Sequence, residues 1–242
     1  MSGYFYALGG ANYEKKESLI IDLDIIKETK KDNPKVLYIP IASNDDINKI
    51  NVFTKYYEEL GANVETLYSY NLDLFENEIA KKINESDIIY LAGGFTYRLF
   101  DFSKKYNLQN LLINAFNDGK IIVGVSAGAI LMFDYGFGDK DAYTFNLETV
   151  NYQMTNGIGI LNGIYCPHYQ NSGLLCFHEE IKKYQLDGYA VENGAALKIN
   201  INSFTVVKSK GCSAFRFNKD KMHQLEYLKE NVIYKIDLLK EI

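Results

Sequence analysis

The chain has 242 residues, of which 47% are hydrophobic and 24% are charged, as is ordinary for a packed globular protein. This length fits one large α/β domain or two small ones. The formal net charge of −5 excludes a typical nucleic-acid or anionic-membrane partner, because phosphate binding needs clustered cations.

The first half of the chain alternates β-runs with helical segments. We predict strands over 4–10, 35–43, 63–70, 86–94 and 121–126, and helices over 14–30, 46–60, 74–84 and 96–118. Strands separated by helices of about 10–15 residues predict right-handed crossovers and a parallel sheet. Continuous apolar runs such as IIVGV are typical of strands that are buried on both faces.

The pattern changes after residue 134. We predict a loop over 134–145, a glycine-punctuated stretch over 157–169 and a helix over 173–185. Short β-runs at 189–193, 195–201, 204–210 and 213–218 predict an antiparallel meander that completes the sheet. Because the sequence shows neither a linker nor a repeat, we expect one domain over residues 1–242.

The most informative motif is Gly124-Val125-Ser126-Ala127-Gly128, between the fifth strand and an apolar helix start. Gly-x-Ser-x-Gly at such a corner is typical of a nucleophile elbow, whose strained turn lifts the serine Oγ out of the sheet. The Ala127 amide would then point into the space where an oxyanion can form. The alternative is a tight turn whose serine only caps the helix.

Other chemically suggestive residues also fall at the ends of predicted strands. Ligands of open α/β sheets bind outside the carboxyl ends of the strands. Gly9-Gly10, Ser43, Gly93-Gly94 and Ser126 all lie at such ends. We therefore expect one active site at this edge of the sheet.

A serine nucleophile needs a base to accept its proton and an acid to orient that base. Of the three histidines, His168 ends the apolar run IYCPHY, whereas His178 and His223 fall in segments that we expect at the surface. His168 is therefore the favoured base. A purely structural histidine is the alternative.

Two regions compete to supply the acid. Glu192 follows the apolar run GYAV, and Asp139 and Asp141 lie in the segment after the helix of the Ser126 motif. The pattern of residues does not rank these acids.

Cys166-x-His168 and Cys176-x-His178 look like two pairs of metal ligands. Residues i and i+2 of a helix point about 200° apart, so the second pair could not share a metal within the predicted helix over 173–185. We expect no metal and no cofactor.

Four segments resemble the peptidase E and cyanophycinase family of serine peptidases, which share a fold with class I glutamine amidotransferases. They are LAGGFTYRLF, GVSAGA, CPHY and VENGAAL, and the resemblance runs from the first strand to about residue 210. It implies that Ser126 is the nucleophile and His168 the base. It also implies an oxyanion amide at Gly94, and an acid at Glu192 or in the loop that holds Asp141.

One segment departs from the family's pattern. Aspartyl dipeptidases of the family commonly read GGGNT where this chain reads AGGFT at 92–96, so the resemblance does not extend to aspartyl specificity. A pocket for an acidic side chain needs a cation. Arg98 is the nearest candidate in the sequence, and an exposed helix arginine is the alternative.

We therefore expect an α/β fold like that of class I glutamine amidotransferases, with a mostly parallel central sheet flanked by helices and an antiparallel C-terminal extension. The expected function is a serine peptidase that hydrolyses short peptides, as a dipeptidase does, through a Ser-His-acid triad and an acyl-enzyme. One alternative is an α/β-hydrolase-type esterase that uses Ser126, an acid such as Asp187, and His223. The other is a non-catalytic binding protein on the same fold.

The cellular setting is predicted from the amino-terminal segment and the cysteines. That segment has no basic region before its short apolar run, and three cysteines suit a reducing compartment. We expect a cytoplasmic protein with a small peptide substrate and with neither nucleic-acid nor membrane partners. Whether it forms a homodimer is left open.

Overall fold

The computed structural model of the protein describes residues 2–69, 76–139, 152–170 and 176–235. Its helices are α1 (Leu19–Glu28), α2 (Ile47–Glu59), α3 (Glu76–Glu85), α4 (Thr96–Lys105), α5 (Leu108–Asn117), α6 (Ala127–Met132) and α7 (Phe177–Ile181). Its strands are β1 (Tyr4–Leu8), β2 (Lys35–Ile39), β3 (Asn63–Thr66), β4 (Ile88–Leu91), β5 (Ile121–Val125), β6 (Phe133–Asp139), β7 (Tyr152–Asn156), β8 (Leu161–Cys166), β9 (Gly188–Val191), β10 (Ala195–Ile199), β11 (Ser203–Lys208), β12 (Ala214–Asn218), β13 (Gln224–Tyr227) and β14 (Tyr234–Lys235).

The larger of two sheets has the strand order β14-β11-β10-β1-β5-β4-β2-β3. Its neighbours from β1 to β3 are parallel, whereas β10, β11 and β14 add an antiparallel extension next to β1. The predicted fold class, a mostly parallel sheet with an antiparallel C-terminal part, is therefore confirmed.

The centre of this sheet brings three strand ends together. Every residue of β5 is buried, as its apolar sequence predicts for a strand covered on both faces. Leu8 of β1 pairs with Val125, and Leu91 of β4 pairs with Gly124. The residues that follow these strands, including Gly9 and Ser126, consequently emerge at one edge.

The smaller sheet has the strand order β13-β12-β9-β8-β6-β7, and sequence reasoning did not predict it. Residues 134–145 were predicted as a loop, but β6 runs through Asp139 and pairs with β7 and β8, while residues 140–145 lie outside the described ranges. The side chains of Phe133 and Phe137 are buried, while Gly136 gives room to Ile130, whose Cγ2 would lie 2.4 Å from a Cβ at this glycine. The glycines needed for this packing weaken the alternating hydrophobic pattern by which a strand is recognised.

The four β-runs after residue 188 do not form one meander, contrary to the prediction. β9 and β12 belong to the smaller sheet, and β10 and β11 to the larger one. The chain crosses from one sheet to the other at 192–194, where Gly194 has a φ of +69°. This crossing decides where the side chains of Glu192 and Asn193 point.

Several predicted bounds shift. Helix α1 begins at Leu19 rather than near residue 14, and β3 ends at Thr66. Helix α7 covers only Phe177–Ile181 of the predicted helix over 173–185, of which residues 173–175 lie outside the described ranges. Within the described residues, no helix combines the length and the apolar character that a bilayer crossing requires.

Candidate active site

Ser126 lies at the corner between β5 and α6 in a strained conformation, with φ of 52° and ψ of −110°. Its amide donates to the Leu8 carbonyl at 3.1 Å, and its carbonyl accepts from the Ile130 amide at 2.9 Å. The hydroxyl makes no hydrogen bond that caps α6, so the alternative in which this serine only caps the helix is wrong.

The two outer glycines of the motif allow the close approach at this corner. A Cβ at Gly124 would lie 2.4 Å from the carbonyl oxygen of Gly128. A Cβ at Gly128 would lie 2.2 Å from the carbonyl oxygen of Leu91. Any side chain at either position would push α6 away from the sheet and move Ser126.

His168 follows β8 and reaches the same corner. Its φ is +54°, and its amide donates to the Gly9 carbonyl at 3.1 Å, which anchors the backbone beside the end of β1. The ring nitrogen Nε2 lies 2.8 Å from the Oγ of Ser126. The structure thus brings the predicted nucleophile and the predicted base into hydrogen-bonding contact.

The other ring nitrogen of His168 contacts Asn193. Nδ1 lies 2.6 Å from Oδ1 of the carboxamide. A carboxamide oxygen only accepts hydrogen bonds, so Nδ1 carries the proton and Nε2 keeps its lone pair for the serine hydroxyl. This is the tautomer that a general base needs. Sequence reasoning did not single out Asn193.

Asn193 makes the contact with Nδ1 of His168, and the role of Glu192 as the acid stays a prediction. Glu192 follows the end of β9, and its backbone amide donates to the Ser213 carbonyl at 3.0 Å. Asp141 and the side chain of Asp139 lie outside the described residues.

Gly10 supports the contact between His168 and Asn193 from behind. A Cβ at this position would lie 2.1 Å from Oδ1 of Asn193 and 2.7 Å from Nδ1 of His168. A side chain at this position would force Asn193 or His168 to move. In the sequence, the glycine pair after β1 marked Gly10 as a position at the edge of the site, but it did not indicate how Gly10 packs against Asn193 and His168.

The turn after β4 runs beside the serine. A Cβ at Gly93 would lie 3.3 Å from the Cβ of Ser126, and Gly94 has a φ of +143°. In the described part of the chain, neither the Gly94 amide nor the Ala127 amide donates a backbone hydrogen bond. The oxyanion roles of the Gly94 and Ala127 amides stay predictions.

Ser126 and His168 open into a cleft of about 470 Å³. Its charged side chains among the described residues are Glu14 and Lys49, both exposed. The other described lining residues are Gly10, Ala11, Asn12, Tyr13, Tyr38, Asn48, Val52, Gly93, Gly94 and Val125.

Arg98 is not among the described residues that line this cleft. Its guanidinium donates to Oδ1 of Asn44 at 2.5 Å and to the hydroxyl of Tyr97 at 2.9 Å. Among the described residues, the cation that lines the cleft is Lys49. It belongs to helix α2, far from the recognised motifs, so no sequence pattern marked it.

The residues of the esterase alternative lie elsewhere. Nε2 of His223 contacts the Leu186 carbonyl oxygen at 3.0 Å, and Asp187 forms an ion pair with Arg216 at 2.5 Å. Because His168 contacts the Ser126 hydroxyl, this arrangement of Ser126, Asp187 and His223 is wrong.

Comparison with known proteins gives consistent results. The sequence model of "Peptidase family S51" matches residues 5–207. Over 219 residues, 87% of this chain and 90% of the relative, the chain is 31% identical to "Uncharacterized peptidase YgaJ" of Bacillus subtilis (strain 168).

Two solved structures share the fold. A peptidase from an acI-B1 Actinobacterium has a TM-score of 0.76 at 16% identity, over 98% of both chains. A putative peptidase E protein from Listeria monocytogenes EGD-e has a TM-score of 0.63 at 21% identity, over 87% of this chain and 100% of that one.

Proposed function

The chain belongs to peptidase family S51 and is a serine-type peptidase, and we propose that it hydrolyses short peptides with Ser126 as nucleophile and His168 as general base. The observation that carries this proposal is the 2.8 Å contact between Oγ of Ser126 and Nε2 of His168. Both residues line a cleft at the carboxyl edge of the parallel strands.

In the first step, Oγ of Ser126 attacks the scissile carbonyl carbon while Nε2 of His168 accepts the hydroxyl proton. The carbonyl π electrons move to the oxygen and form a tetrahedral oxyanion. The corner between β5 and α6 acts as a nucleophile elbow, because its positive φ holds Oγ clear of the sheet.

The Gly94 and Ala127 amides hold this oxyanion. Both come from turns packed next to Ser126, and both are without a backbone acceptor among the described residues. Each donor of this kind contributes about 10²–10³ in rate, because it stabilises charge that is present only in the transition state.

The tetrahedral species then collapses. The C–N bond breaks, the imidazolium of His168 gives its proton to the leaving amine, and the acyl group stays on Oγ of Ser126 as an ester. A water molecule next attacks this ester while His168 again accepts a proton. The second collapse releases the acid product and restores the serine hydroxyl.

Asn193 takes the place of the expected acid. Its carboxamide orients the ring, as the asparagine of Cys-His-Asn peptidases does, but it brings no negative charge to the imidazolium. Because Asn193 contacts Nδ1, the alternative role of Glu192 is limited to electrostatic stabilisation of the His168 imidazolium.

Short peptides match the dimensions of the cleft. Its volume of about 470 Å³ lies in the range of small-molecule sites. This size supports dipeptide-like substrates.

Digestion of a random peptide library, read by mass spectrometry, tests the proposed function. The wild type should cleave short peptides, and Ser126→Ala should cleave none while keeping its circular dichroism spectrum. Ser203→Ala removes a hydroxyl that, among the described residues, bonds to Asn200 in a turn that does not line the cleft, and it should behave as the wild type. Cleavage by Ser126→Ala at the wild-type rate would contradict the proposal.

A further inference from the structure

The inner wall of the cleft beside Ser126 is apolar. Tyr13, Tyr38, Val52 and Val125 line it. The exposed fraction is only 3% for Tyr38 and 6% for Val125, so these residues present small, fixed surfaces to the cleft. These four side chains therefore offer the cleft mainly ring carbons and methyl groups.

Packing behind the cleft holds this wall in place. The ring of Tyr38 stacks on that of Phe53, with centroids 3.8 Å apart, and Phe53 contacts Tyr90 edge-on at 4.7 Å. The hydroxyl of Tyr13 lies 2.9 Å from that of Tyr90, and the Tyr13 ring meets Phe53 edge-on at 5.3 Å. Such a surface is preorganised for an apolar side chain.

The charges at the cleft do not favour an acidic side chain. Among the described lining residues, Glu14 and Lys49 are the charged ones, and they have opposite signs and stay in water. A carboxylate placed against Tyr13 and Tyr38 would lose hydration without gaining a buried cation, which is costly. An apolar or aromatic side chain gains from the same burial.

We propose that the cleft selects substrates with an apolar or aromatic side chain next to the scissile bond, bound against Tyr13, Tyr38 and Val52. This inference rests on the proposed function, since it takes Ser126 as the reacting group. The proposed preference differs from a specificity for acidic side chains, for which the sequence offered Arg98 as the binding cation. The Arg98 guanidinium instead donates a hydrogen bond to Asn44.

The test compares dipeptides that carry phenylalanine, leucine or aspartate at either position. Preference is measured as kcat/KM for each dipeptide that is cleaved, and as protection of Ser126 from a fluorophosphonate probe for each that is not. Phenylalanine or leucine should be favoured over aspartate at one of the two positions by about tenfold or more.

Val52→Arg places a cation on the wall and should lower this preference by about fivefold or more. Val232→Arg adds the same charge at an exposed residue outside the described lining, and it should leave the preference unchanged. Circular dichroism checks that both variants are folded. If Val52→Arg does not fold, Val52→Lys serves in its place.

The inference would be overturned if the wild type preferred aspartate or showed no preference. It would also be overturned if Val52→Arg and Val232→Arg had equal preferences. Failure of the proposed function looks different, because the probe would then not attach to Ser126 at all.

Discussion

Oδ1 of Asn193 lies 2.6 Å from Nδ1 of His168, and this neutral contact orients the imidazole that meets the serine hydroxyl. The contact joins two places where the chain changes direction, the turn after β8 and the crossing between the two sheets. Asn193 is further held by its backbone N–H, which donates to Oε1 of Gln170 at 3.0 Å. The activity of the protein should therefore respond to changes at Asn193 and at the residues packed around it.

Asn193 is expected to matter more than Glu192. Asn193→Leu removes the acceptor at similar volume, so the tautomer is no longer fixed and kcat/KM for a cleaved peptide should fall about 10²-fold. Asn193→Asp keeps an acceptor and should stay within about tenfold of the wild type.

The matched comparison is Glu192→Gln, which removes a charge one residue away. It should change kcat/KM by less than about threefold, because Asn193 and not Glu192 contacts the ring. A larger loss in Glu192→Gln than in Asn193→Leu would restore Glu192 as the orienting acid.

Gly10→Ala tests the packing behind the catalytic groups. Its new methyl group would overlap Oδ1 of Asn193, so one of the two side chains must move and kcat/KM should fall by about 10²-fold. The control is Gly211→Ala, where a Cβ meets nothing within 4 Å, although its φ of +88° costs stability. That variant should lower the melting temperature and leave kcat/KM unchanged. Wild-type activity in Gly10→Ala would show that the contact between Asn193 and His168 does not govern catalysis.

The two candidate histidines separate the peptidase from the esterase alternative. His168→Ala should lower kcat/KM by about 10³-fold or more, since the Ser126 hydroxyl loses its base. His223→Ala removes a ring that contacts only the Leu186 carbonyl oxygen among the described residues, so activity should persist. Steady-state assays of both variants against one peptide make the comparison, and the opposite ranking would contradict the proposed role of His168.

The positions of Ser126 and His168 could be predicted from the sequence for a physical reason. Apolar runs identify the buried parallel strands, and parallel strands present their carboxyl ends at one edge. The Gly-x-Ser-x-Gly corner and the histidine after Pro167 both follow such runs. Local pattern and sheet geometry were sufficient there.

Asn193 and the aromatic wall depended on tertiary structure. Whether residue 192 or residue 193 points towards His168 depends on how the chain crosses between the sheets, and no sequence pattern marks that crossing. Tyr13 and Tyr38 come together only when the turn after β1 packs on β2 and α2. No spacing in the sequence relates them to Ser126.

Asp22 makes the stability of the protein depend on pH. This buried carboxylate of α1 accepts hydrogen bonds from Ser18, Tyr56 and Tyr57 at 2.7, 2.9 and 2.7 Å. Burial raises its pKa from 3.8 to about 6, although the three donors oppose the rise. Between these two values the folded state binds more protons than the unfolded state, so the contribution of Asp22 to the free energy of unfolding falls as pH rises.

Asp22→Asn removes this titration. Between pH 4 and pH 7, the free energy of unfolding of the wild type should fall relative to that of the variant by up to about 3 kcal/mol, at about 1.4 kcal/mol per pKa unit. Urea unfolding at both pH values measures the difference. A difference between the two proteins that does not change with pH would contradict the raised pKa.

The central claim is that His168 activates the hydroxyl of Ser126, and the most direct test is intact-mass and peptide-level analysis after brief exposure to a fluorophosphonate. We predict one adduct per wild-type chain, located on Ser126, no adduct in Ser126→Ala, and labelling slowed by about 10²-fold or more in His168→Ala. An adduct on another residue, or equally fast labelling in His168→Ala, would contradict the account.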